Sequence, residues 1–172
     1  MVVFDLDGTL VDTAPDLAAA LNFVLNREGL STVSLPTARS MIGAGVRRMI
    51  ERGLEHEDHP ATADDVTRMM ADFIDYYTAH IADESRPFEG LIEALDDLAV
   101  RGYRFAVCTN KLEALAKQLL DQLGLSPRFA AICGGDTFGV SKPDPAILLQ
   151  TIARAGGRPE SAIMVGDAGP DI

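Results

Sequence analysis

The feature that most restricts what this chain can fold into is a set of four short, nearly continuous apolar runs: Val2–Leu6, Tyr103–Thr109, Phe129–Cys133 and Ala162–Gly166. Runs of this length, without polar alternation, read as strands buried on both faces of a sheet. Helical patterns separate the last three. Leu91, Leu95 and Leu98 recur at helical spacing. Leu112, Leu115, Leu119, Leu120 and Leu123 predict a helix over Lys111–Leu123, with Gly124 as its stop. A third helix begins at Asp144-Pro145, a capping residue followed by a first-turn proline, and runs through Ile147, Leu148 and Ile152. Strand, helix, strand in this order implies an α/β fold with a parallel sheet and right-handed crossovers.

The first two runs break that rhythm. About 95 residues lie between them, far more than one crossover helix requires. Leu17, Leu21, Val24 and Leu25 share one helical face, and Val66, Met69, Met70, Phe73, Ile74 and Tyr77 share another. Met41, Ile42, Val46, Met49 and Ile50 form a third stripe, crossed by Gly43 and Gly45. The stretch from roughly Thr13 to Ser85 therefore reads as an all-helical insertion after the first strand. Its methionines read as core packing.

Composition excludes several classes. The chain has 172 residues, 47% hydrophobic and 24% charged, which suits an ordinary globular core. Its formal charge of −11 argues against a nucleic-acid partner. No apolar run approaches the ~20 residues needed to cross a bilayer, and the N-terminus has no signal-peptide pattern. No membrane partner is expected, and the reading is cytoplasmic. Cys108 and Cys133 sit in strand-like runs and lack zinc-ligand spacing, so they read as buried free thiols. An acidic protein that handles an anion needs a local cation to overcome its own field.

In open α/β sheets ligands bind outside the carboxyl ends of the strands. The first run ends in Asp5-Leu6-Asp7-Gly8-Thr9, and the second in Thr109-Asn110. The third ends in Gly134-Gly135-Asp136, with Lys142 following, and the fourth in Gly166-Asp167, with Asp171 close behind. Asp5 and Asp7 lie two apart at a strand end, so both can address one cleft, where like charges repel unless a cation holds them or one is protonated. With Asp167 from another strand they suit a hard cation such as Mg²⁺, which keeps waters for a phosphate. Thr109 and Asn110 precede a helix, whose N-terminus favours an anion.

Asp5-Leu6-Asp7-Gly8-Thr9-Leu10-Val11-Asp12-Thr13 resembles the first signature of the haloacid dehalogenase-like hydrolases. Thr109-Asn110, Lys142-Pro143, and Gly166-Asp167 with Asp171 resemble the later motifs in the expected order. The resemblance covers the whole chain. It implies a Rossmann-like parallel sheet core, residues 1–13 and 86–172, with an inserted α-helical type 1 cap, residues 14–85. It also implies roles. Asp5 would be the nucleophile that forms an aspartyl-phosphate, and Asp7 the acid and then the base. Mg²⁺ would be held by Asp5, the Asp7 carbonyl and Asp167. Thr109, Asn110 and Lys142 would bind phosphate, and Asp171 would orient Lys142 or a metal-bound water. An acid at position 7 favours a phosphatase or phosphomutase over a dehalogenase, because an ester's leaving group needs a proton.

Thr13-Ala14-Pro15-Asp16-Leu17, the stretch Ile42–Ile50 and Arg86-Pro87-Phe88-Glu89-Gly90 look most like phosphoglycolate phosphatases. The partner implied is a small phosphorylated metabolite, with 2-phosphoglycolate foremost. A sugar phosphate, pyrophosphate or a phosphomutase reaction are the alternatives. Arg39, Arg47 or Arg48 would hold a substrate carboxylate, with Arg47 the first choice. Thr13–Ala14 and Ser85–Pro87 are the expected hinges of a closing cap. Ala168 departs from the small hydroxyl residue common after the fourth-motif Asp. The family core continues beyond this point, so the native protein is expected to extend past Ile172, where the fourth strand would otherwise leave an open edge.

Overall fold

A computed structural model of the chain describes residues 1–171. In chain order its elements are β1 (Val2–Phe4), β2 (Val11–Asp12), α1 (Ala14–Arg27), α2 (Leu35–Arg39), α3 (Val46–His56), α4 (Ala63–Ala79), β3 (Arg86–Pro87), α5 (Leu91–Val100), β4 (Phe105–Cys108), α6 (Glu113–Gln122), β5 (Phe129–Cys133), α7 (Pro145–Arg154) and β6 (Ile163–Val165). Contacts divide them into two compact units, Met1–Asp12 with Arg86–Ile172, and Thr13–Ser85.

The first unit is built on a four-stranded parallel sheet of order β5-β4-β1-β6. Val3 of β1 lies opposite Ala106 on one side and Met164 on the other. Successive strands step outward from β1 to β4 and β5. The chain then crosses back to place β6 on the far side of β1. The reversal puts a topological switch between β1 and β6, where an open sheet leaves a crevice at its carboxyl edge. Val3, Ala106, Cys108, Ala131 and Cys133 alternate onto one face and meet Ile147 and Ile152 of α7 and Ala155 just after it. Phe4 and Phe105 fall on the opposite face by the same period and meet edge to face, with centroids 6.0 Å apart. Both cysteines are free and buried, as expected.

Local chemistry sets the helix ends. The Asp144 carboxylate accepts the Ala146 N–H at 2.9 Å, and Pro145 opens α7, the arrangement the sequence predicts. Gly124 closes the α6 turn at φ +69°, a conformation that disfavours any side chain.

Three expectations need correction. The predicted helix over Lys111–Leu123 starts only at Glu113, so Thr109-Asn110 belong to a turn after β4 rather than to a helix start. The Asp136 carboxylate accepts the Glu113 N–H at 2.8 Å, which caps that end. The fourth run is not buried on both faces, because Ile163 is 59% and Val165 39% exposed. It pairs with β1, and among the described residues no strand covers its other edge. The stripe from Met41 to Ile50 is not one helix. Gly43 and Gly45 have φ of +108° and +85°, and α3 begins only at Val46.

The second unit is helical, with α1 packed on α2, α3 and α4. Its core holds Leu17, Leu21, Leu25, Met49, Ile50, Met69, Phe73 and Tyr77, all buried. Each fully buried aliphatic or aromatic side chain contributes roughly 1.5–3 kcal/mol relative to exposure. Met41, Met49 and Met69 are core residues, as read from their spacing. Asp16, near the start of α1, is also buried. Its carboxylate accepts the Glu84 N–H, the Ser85 N–H at 2.8 Å and the Ser85 hydroxyl at 2.6 Å, which ties the end of the unit to its beginning.

Candidate active site

The residues at the carboxyl edge are positioned from β1 outward. Asp5 follows β1 directly, and its N–H donates to the Val165 carbonyl of β6 at 2.9 Å, which extends the sheet pairing by one residue. The side chain is buried. Its Oδ1 accepts the Leu6 N–H at 2.7 Å and faces the Lys142 Nζ at 2.9 Å. Both donors reach the same oxygen, and among the described residues none reaches Oδ2. Burial pushes the Asp5 carboxyl up to about 6, and the Lys142 ammonium offsets part of that rise.

Lys142 is held from both ends. The Asn110 side-chain oxygen accepts the Lys142 N–H at 2.8 Å, and the Asn110 amide donates to the Lys142 carbonyl at 3.2 Å. The side-chain amide of Asn110 is thereby committed to the lysine's backbone, and the Lys142–Pro143 peptide is cis. The ammonium donates to Asp171 Oδ1 at 2.5 Å as well as facing Asp5. Burial alone would lower the lysine, but Asp5 and Asp171 outweigh it and hold it above its ordinary value.

Asp167 and Asp171 follow β6. One carboxylate oxygen from each of Asp5, Asp167 and Asp171 lies within 4.8 Å of the others. Two glycines permit this. A Cβ at Gly8 would stand 2.5 Å from Asp167 Oδ2, and one at Gly166 would stand 2.2 Å from the Asp171 carboxylate. Gly8 also has φ +86°, which other residues rarely adopt. Thr9 donates its hydroxyl to Asp167 Oδ1 at 2.8 Å, and the Ala168 N–H donates to Asp171 Oδ2 at 3.0 Å. Three hard oxygen donors from two chain segments, converging despite like charge, fit a divalent cation.

Asp7 is turned to a different partner. Its two carboxylate oxygens lie 2.9 and 3.1 Å from the Lys111 ammonium, and both side chains are largely buried. Thr109 is buried, and its Oγ1 accepts the Lys111 N–H at 3.2 Å. That bond uses the oxygen as acceptor and leaves the hydroxyl proton to donate elsewhere.

Asp5, Lys142, Asp167 and Asp171 thus meet at one rim. Asp7, Thr109 and Asn110 join them through the two lysines. Arg47 lies in the other compact unit. It is exposed on α3 of the helical unit and donates to the Thr67 hydroxyl at 3.4 Å, while its neighbour Arg48 pairs with Glu51 and Glu55. Sequence reasoning missed Lys111 and Thr9. The available signal for Lys111 was a lysine directly after a polar strand end, hidden by its reading as the first residue of a helix.

A family model described as haloacid dehalogenase-like hydrolase matches residues 2–172. Among curated relatives, the phosphoglycolate phosphatase of Caulobacter vibrioides is 45% identical over 167 residues, 97% of this chain and 70% of its own length. That of Agrobacterium fabrum is 45% identical over 172 residues, covering all of this chain and 74% of the relative. Among solved structures, a predicted phosphoglycolate phosphatase from Haemophilus somnus has a TM-score of 0.91 at 30% identity, covering all of this chain and 78% of that one. Among the described residues no helix is long and apolar enough to cross a membrane.

Proposed function

The chain belongs to the haloacid dehalogenase-like hydrolase family and is a phosphoric monoester hydrolase, and from that premise we propose that it is a cytoplasmic, Mg²⁺-dependent phosphatase whose leading substrate is 2-phosphoglycolate. The observation that carries the reading is Asp5. It is a buried carboxylate with one oxygen held by two donors and the other, among the described residues, without one, beside a buried lysine and two further acids.

In the proposed first step Asp5 Oδ2 attacks phosphorus. The ester P–O bond breaks, and protonated Asp7 gives its proton to the departing alkoxide. In the second step Asp7, now a carboxylate, takes a proton from water as the water oxygen attacks phosphorus. The bond from phosphorus to Asp5 breaks, inorganic phosphate leaves, and Asp5 is a carboxylate again. Asp5, Asp167 and the Asp7 carbonyl would hold the cation, with Asp171 beside them. When bound, the cation supplies positive charge that offsets repulsion between a carboxylate and a phosphate. Lys142 adds charge that is already fixed in place, and the Thr109 hydroxyl donates to a transferring oxygen.

The choice of substrate is supported by the relatives, which are named phosphoglycolate phosphatases at 45% identity. Arg47 is our candidate for its carboxylate. The test is phosphate release from a panel of 2-phosphoglycolate, sugar phosphates and pyrophosphate, with Mg²⁺ and after its removal by chelation. We expect 2-phosphoglycolate to give the highest kcat/KM and chelation to abolish release. Inertness toward 2-phosphoglycolate alongside turnover of another ester would reassign the substrate. Activity surviving chelation would remove the metal from the reading.

A further inference from the structure

Among the described residues, Lys111 is the one buried ammonium of the rim that the reaction above leaves without a role. Its side chain is 4% exposed, that of Asp7 13%, and the ammonium lies within 3.1 Å of both Asp7 oxygens. A charge hidden to this extent is tolerated only with a partner, and a two-oxygen contact fixes the partner's orientation as well as its charge. The backbone that delivers Lys111 is itself held. Its N–H donates to Thr109 Oγ1, and its carbonyl accepts the Gly135 N–H at 2.9 Å. A Cβ at Gly134 would come within 2.4 Å of that carbonyl, so only glycine lets the β5 loop approach. Asp7 lies beyond the end of β1, and Lys111 beyond the end of the neighbouring β4. The pair therefore spans two strands and ties the rotamer of Asp7 to the sheet.

We propose that Lys111 is a positioning residue for Asp7, holding its carboxyl group where it gives a proton to the leaving oxygen and later takes one from water. The inference rests on the phosphatase reading. It assigns Lys111 to proton transfer at the leaving group, in contrast to Lys142, whose ammonium is shared by Asp5 and Asp171. A lysine that served phosphate charge would matter equally for every phosphate ester. A lysine that serves Asp7 matters in proportion to how badly the leaving group needs a proton.

The experiment compares single-turnover phosphorylation of the enzyme by 2-phosphoglycolate, whose alkoxide requires protonation, and by para-nitrophenyl phosphate, whose nitrophenolate leaves without it. Lys111→Met is expected to slow the first by about 10- to 100-fold and the second by less than about threefold. In an Asp7→Asn background it should add little to either, because both changes then act on one group. Equal loss on the two esters, or additive losses in the double variant, would overturn the assignment. Lys111→Gln serves if Lys111→Met does not fold, since the ratio between esters is read within one folded variant. A wild-type protein inert toward both esters would remove the phosphatase reading and this assignment with it. An active wild type with equal losses would remove the assignment alone.

Discussion

The rim of the sheet and the start of the helical unit each hide a carboxylate: Asp5 and Asp16 are both 3% exposed. Their surroundings differ. Asp16 closes on neutral donors, with two backbone N–H groups and a hydroxyl divided between its oxygens. Asp5 concentrates an N–H and an ammonium on Oδ1 and, among the described residues, leaves Oδ2 without a donor, with Asp167 and Asp171 close by. Burial alone therefore does not mark a reactive group. What separates the two is whether the lone pairs are spent. A fully satisfied buried carboxylate is a rivet, whereas one that keeps an oxygen for a further partner, set among other acids, is placed to react or to hold a cation.

The widest separation between the two is expected in turnover. Asp5→Asn removes the charged oxygen and should lower kcat by at least about a thousandfold, the scale on which loss of a covalent nucleophile acts. The fold should survive, because the amide keeps the shape and one acceptor. Phosphate release and a circular dichroism spectrum check the two halves of this statement. Activity retained in a folded variant would overturn the nucleophile.

Asp16→Ala should do the reverse. It leaves three donors around residues 84 and 85 without their buried acceptor, which costs about 3 kcal/mol. The melting temperature should fall by roughly 6–12 °C, while kcat of the folded protein stays within about threefold of wild type. Thermal unfolding followed by kinetics below the transition tests this. A large loss of kcat with unchanged stability would make Asp16 part of the chemistry.

A smaller effect separates the carboxylates by pH. The Asp5 carboxyl stands at about 6 in the folded protein against 3.8 for an ordinary aspartate. The folded state therefore binds more protons than the unfolded state between those values. Its stabilising contribution is complete below about pH 4 and is lost as pH rises through 6, up to about 2–3 kcal/mol. Denaturant unfolding of metal-free protein at pH 4 and pH 7 should show this downward trend flattened in Asp5→Asn. An unchanged pH profile in that variant would mean that burial does not disfavour the Asp5 charge.

Much of the rim was legible because it obeys two local rules. Apolar runs mark strands, and the polar residue that ends each strand of an open α/β sheet faces the ligand edge. Asp5 and Asp167 needed no tertiary knowledge beyond that, whereas Lys142 and Asp171, several residues past the ends of β5 and β6, were marked by the family resemblance. The Asp7–Lys111 pair was not legible, because Leu112 extends the helical stripe of α6 backwards and conceals the turn that carries Lys111. The Asp16 clasp joins residues 69 apart, a separation no window of spacing detects. The stripe across Met41–Ile50 misled for a related reason. Its spacing continues through Gly43 and Gly45, whose positive φ values end any helix there. The exposure of β6 depends on what neighbours it, and a strand's own sequence does not carry that information.

The smallest effect tests burial itself. Asp65 closes on donors much as Asp16 does: its Oδ2 accepts the Thr62 N–H at 3.0 Å and the Thr62 hydroxyl at 2.7 Å. The Asp65 N–H returns a bond to Thr62 Oγ1, which completes a capping box at the start of α4. The difference is water. This cap is exposed, so solvent replaces any bond that is lost, whereas the donors around Asp16 have little access to it. Thr62→Ala should therefore lower the melting temperature by only about 3 °C, the effect expected of an N-cap hydroxyl in a protein of this size, with no change in turnover. If it matched Asp16→Ala in a side-by-side melt, acceptor number rather than burial would set the worth of these carboxylate clasps, and the contrast between Asp5 and Asp16 would have to rest on charge alone.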